Sequence, residues 1–156
     1  MRLIADSGST KVDWRAILED GTVKSISTEG INPVFQTKDY IVDIFKTKLL
    51  PELGPDVKEI FFYGAGILSA ELSQTLSDAF REVFPQSVCY AASDILAAAR
   101  ALCGREAGIA CILGTGGNTS FYDGNEIVKG VKAGGFILGD EASGGVLGKK
   151  LVSDFI

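Results

Sequence analysis

The chain has 156 residues, of which 46% are hydrophobic and 22% charged, and its formal net charge is −5. A chain of this length can bury one well-packed core, and the composition is typical of a globular protein. The negative charge, without any run of lysine or arginine, argues against a nucleic-acid-binding surface. No stretch approaches the ~20 apolar residues that span a bilayer, and the apolar start is too short for a signal peptide. We therefore expect a cytoplasmic protein that binds neither nucleic acid nor membrane.

The sequence contains three cysteines and no histidine. Cys89, Cys103 and Cys111 form no Cys-x-x-Cys pair and lie in apolar strands or at a helix end, which predicts buried free thiols. The absence of histidine excludes histidine-based triads, histidine-ligated metals and imidazole bases. Any proton transfer must therefore fall to a carboxylate, a lysine or a tyrosine.

The chain begins with three predicted strands, over residues 2–5, 12–18 and 22–28. The loop between the first two contains Asp6 followed by small Gly, Ser and Thr residues, whose backbone N–H groups and hydroxyls can surround an anion. Beside a polyphosphate the Asp6 carboxylate would need an intervening cation, which suggests Mg²⁺ held largely through water. The alternative is an ordinary hairpin in which Asp and Ser satisfy the turn amides.

Helices and strands alternate in the next part of the chain. Helices are predicted over residues 37–50, 70–84 and 94–103, and the intervening strands over 57–63 and 87–91. Thr37 is the expected N-cap of the first helix, and Pro51 and Gly54-Pro55 are expected to end it, while Asp94 is expected to cap the third. The strand over 57–63 is apolar enough to be buried on both faces. The order β-β-β-α-β-α-β-α predicts an α/β fold.

A second glycine-rich loop, residues 114–120, follows another apolar strand over 109–113. A strand, an Asp-Gly turn and a further strand come next, so the chain repeats the order of its own start. Two such loops from similar domains would clamp a nucleotide between them. We predict a first domain over residues 1–104 and the N-terminal part of a truncated second domain over 105–156, because the last helix, 144–155, is followed by no cap and no Gly or Pro stop.

Two near-matches to nucleotide-binding motifs are rejected. Residues 143–150 resemble a Walker A loop, but they lack the first glycine and the final Ser/Thr, and no strand leads directly into them. Residues 64–69 follow a strand and open a helix like a dinucleotide fingerprint, but Ser69 replaces the third glycine, and a three-strand meander does not begin a Rossmann unit.

The loop at 6–11, the loop at 114–118 and the Gly-Asp-Glu-Ala-Ser-Gly segment at 139–144 together carry a resemblance. With them the chain resembles the N-acetylglucosamine kinase-like branch of the BadF/BadG/BcrA/BcrD ATPases, in the actin/hexokinase superfamily. The resemblance covers essentially the whole chain. It implies a ribonuclease H-like ATPase domain followed by the opening β-meander of a second similar domain, and use of ATP and Mg²⁺.

The resemblance also implies roles for individual residues. Asp94 would be the catalytic base, and Asp6 would also bind the metal. ATP phosphates would be bound by Asp6, Gly8, Ser9, Thr10, Gly114, Thr115 and Gly116. The sugar would be contacted by Asn32, Asp94, Asn118, Gly134, Gly135 and Asp140.

Some positions depart from the family or have plainer explanations. Gly117 stands where Ser is commoner and Ala142 where Gly is commoner, which leaves the choice of sugar open. Asn32 could be a turn residue, and Asp140 a cap of the final helix. Lys11 is best explained as a solvated strand end.

Three functions compete. We favour a kinase that phosphorylates a hydroxyl of an amino sugar. We expect this fragment alone to be inactive, and a homodimer is one possible assembly of the protein. The second is an ATP-driven activator of a 2-hydroxyacyl-CoA dehydratase or benzoyl-CoA reductase. Such an activator needs cysteine ligands for an iron–sulfur cluster, and the segment Ala91–Asp94 supplies none. The third is a non-catalytic sugar sensor.

Overall fold

A five-stranded sheet forms the centre of the N-terminal part of the chain. The computed structural model describes residues 1–8, 10–67, 69–131 and 134–156. The strands of this sheet are β1 (Arg2–Ser7), β2 (Lys11–Ile17), β3 (Val23–Glu29), β4 (Glu59–Gly64) and β5 (Val88–Ser93). Their order in the sheet is β3-β2-β1-β4-β5. β1 is antiparallel to β2 and parallel to β4, so the predicted meander and the predicted α/β class are confirmed.

The first helical region is one turn longer than predicted. α1 (Lys38–Ile44) begins after Thr37, whose side chain accepts a hydrogen bond from the Tyr40 N–H, which confirms the N-cap. A π-helical segment, Phe45–Leu49, and a short helix α2 (Leu50–Leu53) continue it. Pro51 does not end the helical region, so that part of the prediction is wrong, whereas the predicted stop at Gly54 is confirmed, because Gly54 is the C-cap of α2. Proline lacks an N–H and crowds the carbonyl four residues earlier, and the wider π turn just before it accommodates the ring.

One face of the sheet carries an aromatic core. Trp14 on β2, Phe62 on β4, Phe45 in the π segment and Phe80 on α3 (Ala70–Val83) are fully buried. Phe45 and Phe80 stack with their ring centroids 4.1 Å apart, and the Trp14 Nε1–H donates to Thr28 Oγ1 at 2.9 Å. The helices thus cover this face and hold the sheet.

The prediction that residues 60–63 are buried on both faces is wrong. Ile60 and Phe62 are buried, whereas Phe61 and Tyr63 between them are only half-buried. This alternation is the period-2 pattern of a strand with one fully covered face.

The C-terminal part of the chain is a smaller αβ unit. α4 (Asp94–Cys103) precedes a three-stranded antiparallel sheet of β6 (Gly108–Leu113), β7 (Gly117–Tyr122) and β8 (Ile127–Gly130), in that order. α5 (Gly135–Leu138) and α6 (Gly144–Phe155) follow. The second meander and the final helix are as predicted, but the glycine-rich loop is shorter. Residues 117–120 belong to β7, because their backbones pair with β6.

Internal contacts divide the chain into the units Met1–Asp94 and Ile95–Ile156. The domain boundary predicted from the sequence, between residues 104 and 105, stays a prediction. No helix within the described ranges is long and apolar enough to cross a membrane.

The three cysteines are free thiols, but the prediction that all are buried is wrong. Cys111 is exposed on β6, and Cys89 and Cys103 are partly buried. Burial raises the pKa of the Cys89 thiol to about 11. That thiol is therefore protonated at neutral pH and poorly suited to ligate a metal.

Candidate active site

The sheet of the N-terminal unit brings three predicted site residues to one edge. β1, β3, β4 and β5 run in the same direction, so their carboxyl ends meet there, which is where open α/β sheets bind ligands. Asp6 lies at the end of β1, Asn32 shortly after β3, and Asp94 directly after β5. Ser7, Gly64 and Ser93 are level across the three neighbouring strands β1, β4 and β5. With strands spaced about 4.8 Å apart, Asp6 and Asp94 lie roughly 10 Å from each other.

The first glycine-rich loop is a tight turn from β1 to β2. The Gly8 N–H donates to the Lys11 carbonyl at 3.0 Å, and the Thr10 carbonyl accepts from the Gly30 N–H at 3.0 Å. Asp6, Gly8 and Thr10 are exposed, and Ser9 lies outside the described residues. The described residues of this loop therefore present an exposed carboxylate beside backbone that is hydrogen-bonded to Lys11 and Gly30.

Lys11 has a carboxylate partner on its own strand. Its Nζ lies 2.7 Å from Asp13 Oδ2, and this hydrogen-bonded pair holds the pKa of Asp13 below its usual value. Asp13 in turn is level with Asp6 across β1 and β2. The pair agrees with Lys11 being a strand-end residue, as expected from the sequence.

A buried hydroxyl joins the first loop to the segment that carries Asn32. Ser7 is fully buried, and its Oγ donates to the Ile31 carbonyl at 2.9 Å and accepts from the Ile31 N–H at 3.3 Å. The hydroxyl proton is used within the protein, so Ser7 serves to fix the distance between Asp6 and Asn32.

Asn32 forms a turn, as the plainer explanation proposed. Its Oδ1 accepts from the Val34 N–H at 3.0 Å, and its own N–H donates to Gln36 Oε1 at 2.8 Å. The turn does not exclude a role in ligand binding, because the side-chain amide nitrogen is not used in it. Gln36 was not predicted from the sequence. The only available sign of its contact with Asn32 was its position four residues later in the chain.

The glycines after β4 serve the same edge rather than a pyrophosphate. The Ala65 N–H donates to the Ser7 carbonyl at 3.0 Å. Gly66 adopts φ +81°, and a Cβ on it would overlap the Asn32 carboxamide. These contacts give a physical reason for the fingerprint-like glycines and agree with the rejection of a dinucleotide site.

Asp94 is the first residue of α4 and follows β5 without a gap. A helix N-terminus stabilises a negative charge. The position therefore suits a carboxylate that must stay ionised to accept a proton.

In the C-terminal unit, the second glycine-rich loop is bound to the start of α6. The Gly144 and Gly145 N–H groups donate to the carbonyls of Gly114 and Thr115 at 2.8 and 3.2 Å. Ser143, through its Oγ, caps the Val146 N–H. The first amides of α6 are thus occupied by protein acceptors, which agrees with rejecting residues 143–150 as a phosphate-binding Walker A loop.

Asp140 is directed at this loop rather than at the helix. Its Oδ1 accepts from the Gly117 N–H at 3.2 Å, and its carboxylate lies close to Gly116. The alternative that the Asp140 side chain caps α6 does not agree with the structure, because Ser143 does so. Asp140 and Ala142 adopt φ +61° and +63°. That conformation favours glycine, which gives a reason why Gly is commoner at position 142 in the family.

The other predicted sugar contacts lie in the same unit. Asn118 is half-buried on β7, level with Ile112. Gly134 precedes α5 and Gly135 begins it, and a Cβ on Gly134 would overlap the Leu138 carbonyl. Within the described ranges there is no group of three or more His, Cys, Asp or Glu side chains that could hold a metal. A single carboxylate such as Asp6 fits a Mg²⁺ bound mainly through water and phosphate oxygens.

The strand order and connections define the class of protein: the chain has the actin-like ATPase fold. It superposes on the ethanolamine utilization protein EutJ of Carboxydothermus hydrogenoformans with a TM-score of 0.59 and 13% identity, over 98% of this chain and 56% of that one. At this identity the likeness concerns the fold alone.

Two further solved structures are similar. A proposed N-acetylglucosamine kinase of Porphyromonas gingivalis is 42% identical over 99% of this chain and 56% of its own, with a TM-score of 0.90. A proposed N-acetylglucosamine kinase of Chromobacterium violaceum is 19% identical over 97% of this chain and 55% of its own, with a TM-score of 0.64. The resemblance predicted from the sequence is thus confirmed, and the chain spans little more than half the length of these relatives. No protein-family model and no curated protein matches the chain.

Proposed function

We propose that the protein is a kinase that transfers the γ-phosphoryl group of ATP to a hydroxyl of an amino sugar of the N-acetylglucosamine type. The observation that carries this proposal is the 42% identity along 99% of the chain to a proposed N-acetylglucosamine kinase. The common carboxyl edge of Asp6, Asn32 and Asp94 supports it, because phosphoryl transfer depends mainly on positioning and on neutralising charge.

Asp94 acts as the general base. It accepts the proton of the sugar hydroxyl while the hydroxyl oxygen bonds to the γ-phosphorus and the bond to the β,γ-bridging oxygen breaks, which releases ADP. It lies at the N-terminus of α4, where the helix dipole favours a negative charge.

The glycine-rich loops contact the phosphates of ATP. In the first loop these residues are Asp6, Gly8, Ser9 and Thr10, and in the second Gly114, Thr115 and Gly116. Asp6 would hold Mg²⁺ through water molecules, and the ion would neutralise phosphate charge. The small residues of both loops support this role, because they leave room for phosphate oxygens to approach the backbone.

The residues proposed to contact the sugar are those that the family resemblance implies. In the N-terminal unit Asn32 contributes, with its side-chain amide as a donor to a hydroxyl oxygen. In the C-terminal unit the contacts come from Asn118, Gly134, Gly135 and Asp140. The carboxylate of Asp140, already held by the Gly117 N–H, is an acceptor for sugar hydroxyls.

The test is phosphoryl transfer by the full-length protein to a panel of amino sugars with MgATP, measured as ADP release, in wild type and Asp94→Asn. We expect the variant to lose at least ~100-fold in kcat while its sugar affinity stays within about tenfold, because only the proton acceptor is removed. Asp43→Asn, an exposed aspartate on α1, is the matched control and should keep wild-type kcat. An Asp94→Asn protein with wild-type turnover would remove Asp94 as the base.

A further inference from the structure

The Asn32 loop, residues 30–36, is closed by one side chain. Gln36 Oε1 accepts from the Asn32 N–H at 2.8 Å, and Gln36 Nε2 donates to the Gly30 carbonyl at 2.9 Å. The Gln36 N–H also donates to the Asn32 carbonyl at 3.1 Å. The Gln36 carboxamide thus bridges the two backbone limbs of the loop.

This loop orients the Asn32 side chain in one direction. The Val34 N–H requires an acceptor, so the carboxamide oxygen of Asn32 faces it at 3.0 Å and the NH₂ group points the other way. Within the described parts of the chain, Asn32 Nδ2 donates to no protein acceptor, although Asn32 is only half-exposed. A fixed donor with no protein partner is suited to a ligand oxygen.

Gly66 packs against the other side of the same group. A Cβ at this position would overlap Asn32 Oδ1, and φ +81° is itself unfavourable for a residue with a side chain. The space for the Asn32 carboxamide therefore depends on a glycine from the loop after β4.

We propose that Gln36 is a positioning residue for Asn32: it holds the Asn32 loop so that Asn32 Nδ2 donates to a hydroxyl of the amino sugar, and Gly66 provides the space for that carboxamide. The proposal rests on the proposed function and adds to it two residues that determine sugar affinity without contacting ATP. Loss of one hydrogen bond that aligns a donor typically changes affinity by about tenfold.

The experiment compares Gln36→Ala, Gln36→Glu and Gly66→Ala with wild type, each in the full-length protein with MgATP and N-acetylglucosamine. Gln74→Ala is the matched control, because Gln74 bonds only Asp78 on the exposed face of α3. We expect Gln36→Ala and Gly66→Ala to raise KM for the sugar about tenfold and to leave KM for ATP within about twofold. Gln36→Glu keeps the acceptor for Asn32 N–H and should recover part of the affinity.

Amide hydrogen exchange at Asn32 and Val34 supplies a readout that needs no ligand. Gln36→Ala should speed exchange at both amides, whereas Gln74→Ala should not. If the wild type phosphorylates the sugar and Gln36→Ala has the same KM for it, the positioning role of Gln36 is overturned. A wild type that neither binds nor phosphorylates an amino sugar would overturn the proposed function and the sugar role together, while the exchange rates would still show whether Gln36 holds Asn32.

Discussion

The two units of this chain hold their glycine-rich loops in different ways. In Met1–Asp94 the loops follow strands that are fixed by a continuous buried cluster, centred on Trp14, Phe62 and Phe80. In Ile95–Ile156 the loop at 114–116 is held mainly by hydrogen bonds to the start of α6. The outer part of α6 exposes apolar side chains, of which Phe155 is 91% exposed. The comparison teaches that similar loops can be supported by a core in one unit and by backbone polar contacts in the other.

This difference agrees with how much of the relatives the chain covers. It spans 56% of the Porphyromonas gingivalis protein, whose remaining part has no counterpart in the matched residues. The N-terminal unit buries its apolar side chains among its own elements, whereas many of those in the C-terminal unit are exposed. Substitutions should therefore have their largest effects in the N-terminal core.

The largest expected effect comes from Phe80→Ala. Phe80 is 0% exposed and contacts three aromatic rings, so its removal should lower the free energy of unfolding by about 3–5 kcal/mol. Urea unfolding followed by Trp14 fluorescence reports on this unit. The matched variant Phe155→Ala should change the free energy of unfolding by less than about 0.5 kcal/mol. Equal losses from both variants would break the distinction between the two units.

An intermediate effect is expected from Ser7→Ala. The substitution leaves the buried N–H and carbonyl of Ile31 without their hydroxyl partner, which should cost about 1–3 kcal/mol in the free energy of unfolding. Ser27→Ala, on an exposed position of β3, is the control and should be nearly neutral. If Ser7→Ala unfolds at the same urea concentration as Ser27→Ala, the hydroxyl does not hold the two loops together.

The smallest effect separates two glycines of α6. Gly148 has open space around it, so Gly148→Ala should stabilise the helix by roughly 0.5–1 kcal/mol. A Cβ on Gly145 would lie 2.9 Å from the Thr115 carbonyl, so Gly145→Ala should lose this gain and loosen the loop contact. Hydrogen exchange at the α6 amides measures both variants. Slower exchange in Gly145→Ala than in Gly148→Ala would show that α6 is not packed on the loop as described.

Local sequence signals predicted the fold well where they act through the backbone. The Thr37 cap, the two meanders and the helix Gly144–Phe155 follow from capping, turn and alternation patterns, and the structure contains them. Pro51 was misread because a π turn, which depends on tertiary packing, accommodates the ring. The strand over 59–64 was misread because an apolar run does not show how much of each face is covered.

The candidate site was predictable in its chemistry and less so in its supporting contacts. Asp6, Asn32 and Asp94 were found from motifs, and the parallel strands bring them to one edge. The structural role of Ser7 was not predicted, because a hydroxyl in a glycine-rich loop gives no sign of its partner, and that partner, Ile31, is 24 residues away. Gln36 and Gly66 were missed because their contacts arise only when distant loops fold together.

The central claim is that ligands bind at the carboxyl edge of the five-stranded sheet. The opposite edge provides the comparison, since an open cavity of about 430 Å³ lies there, lined in part by Leu18, Glu19 and Lys58. The most direct measurement is a titration of the ¹⁵N-labelled protein with MgATP and N-acetylglucosamine, followed by backbone amide chemical shifts. We expect shifts at residues 6–10, 30–36 and 92–94 and none at residues 18–22 or 56–58. Shifts confined to the opposite edge, or none at either edge, would contradict the account.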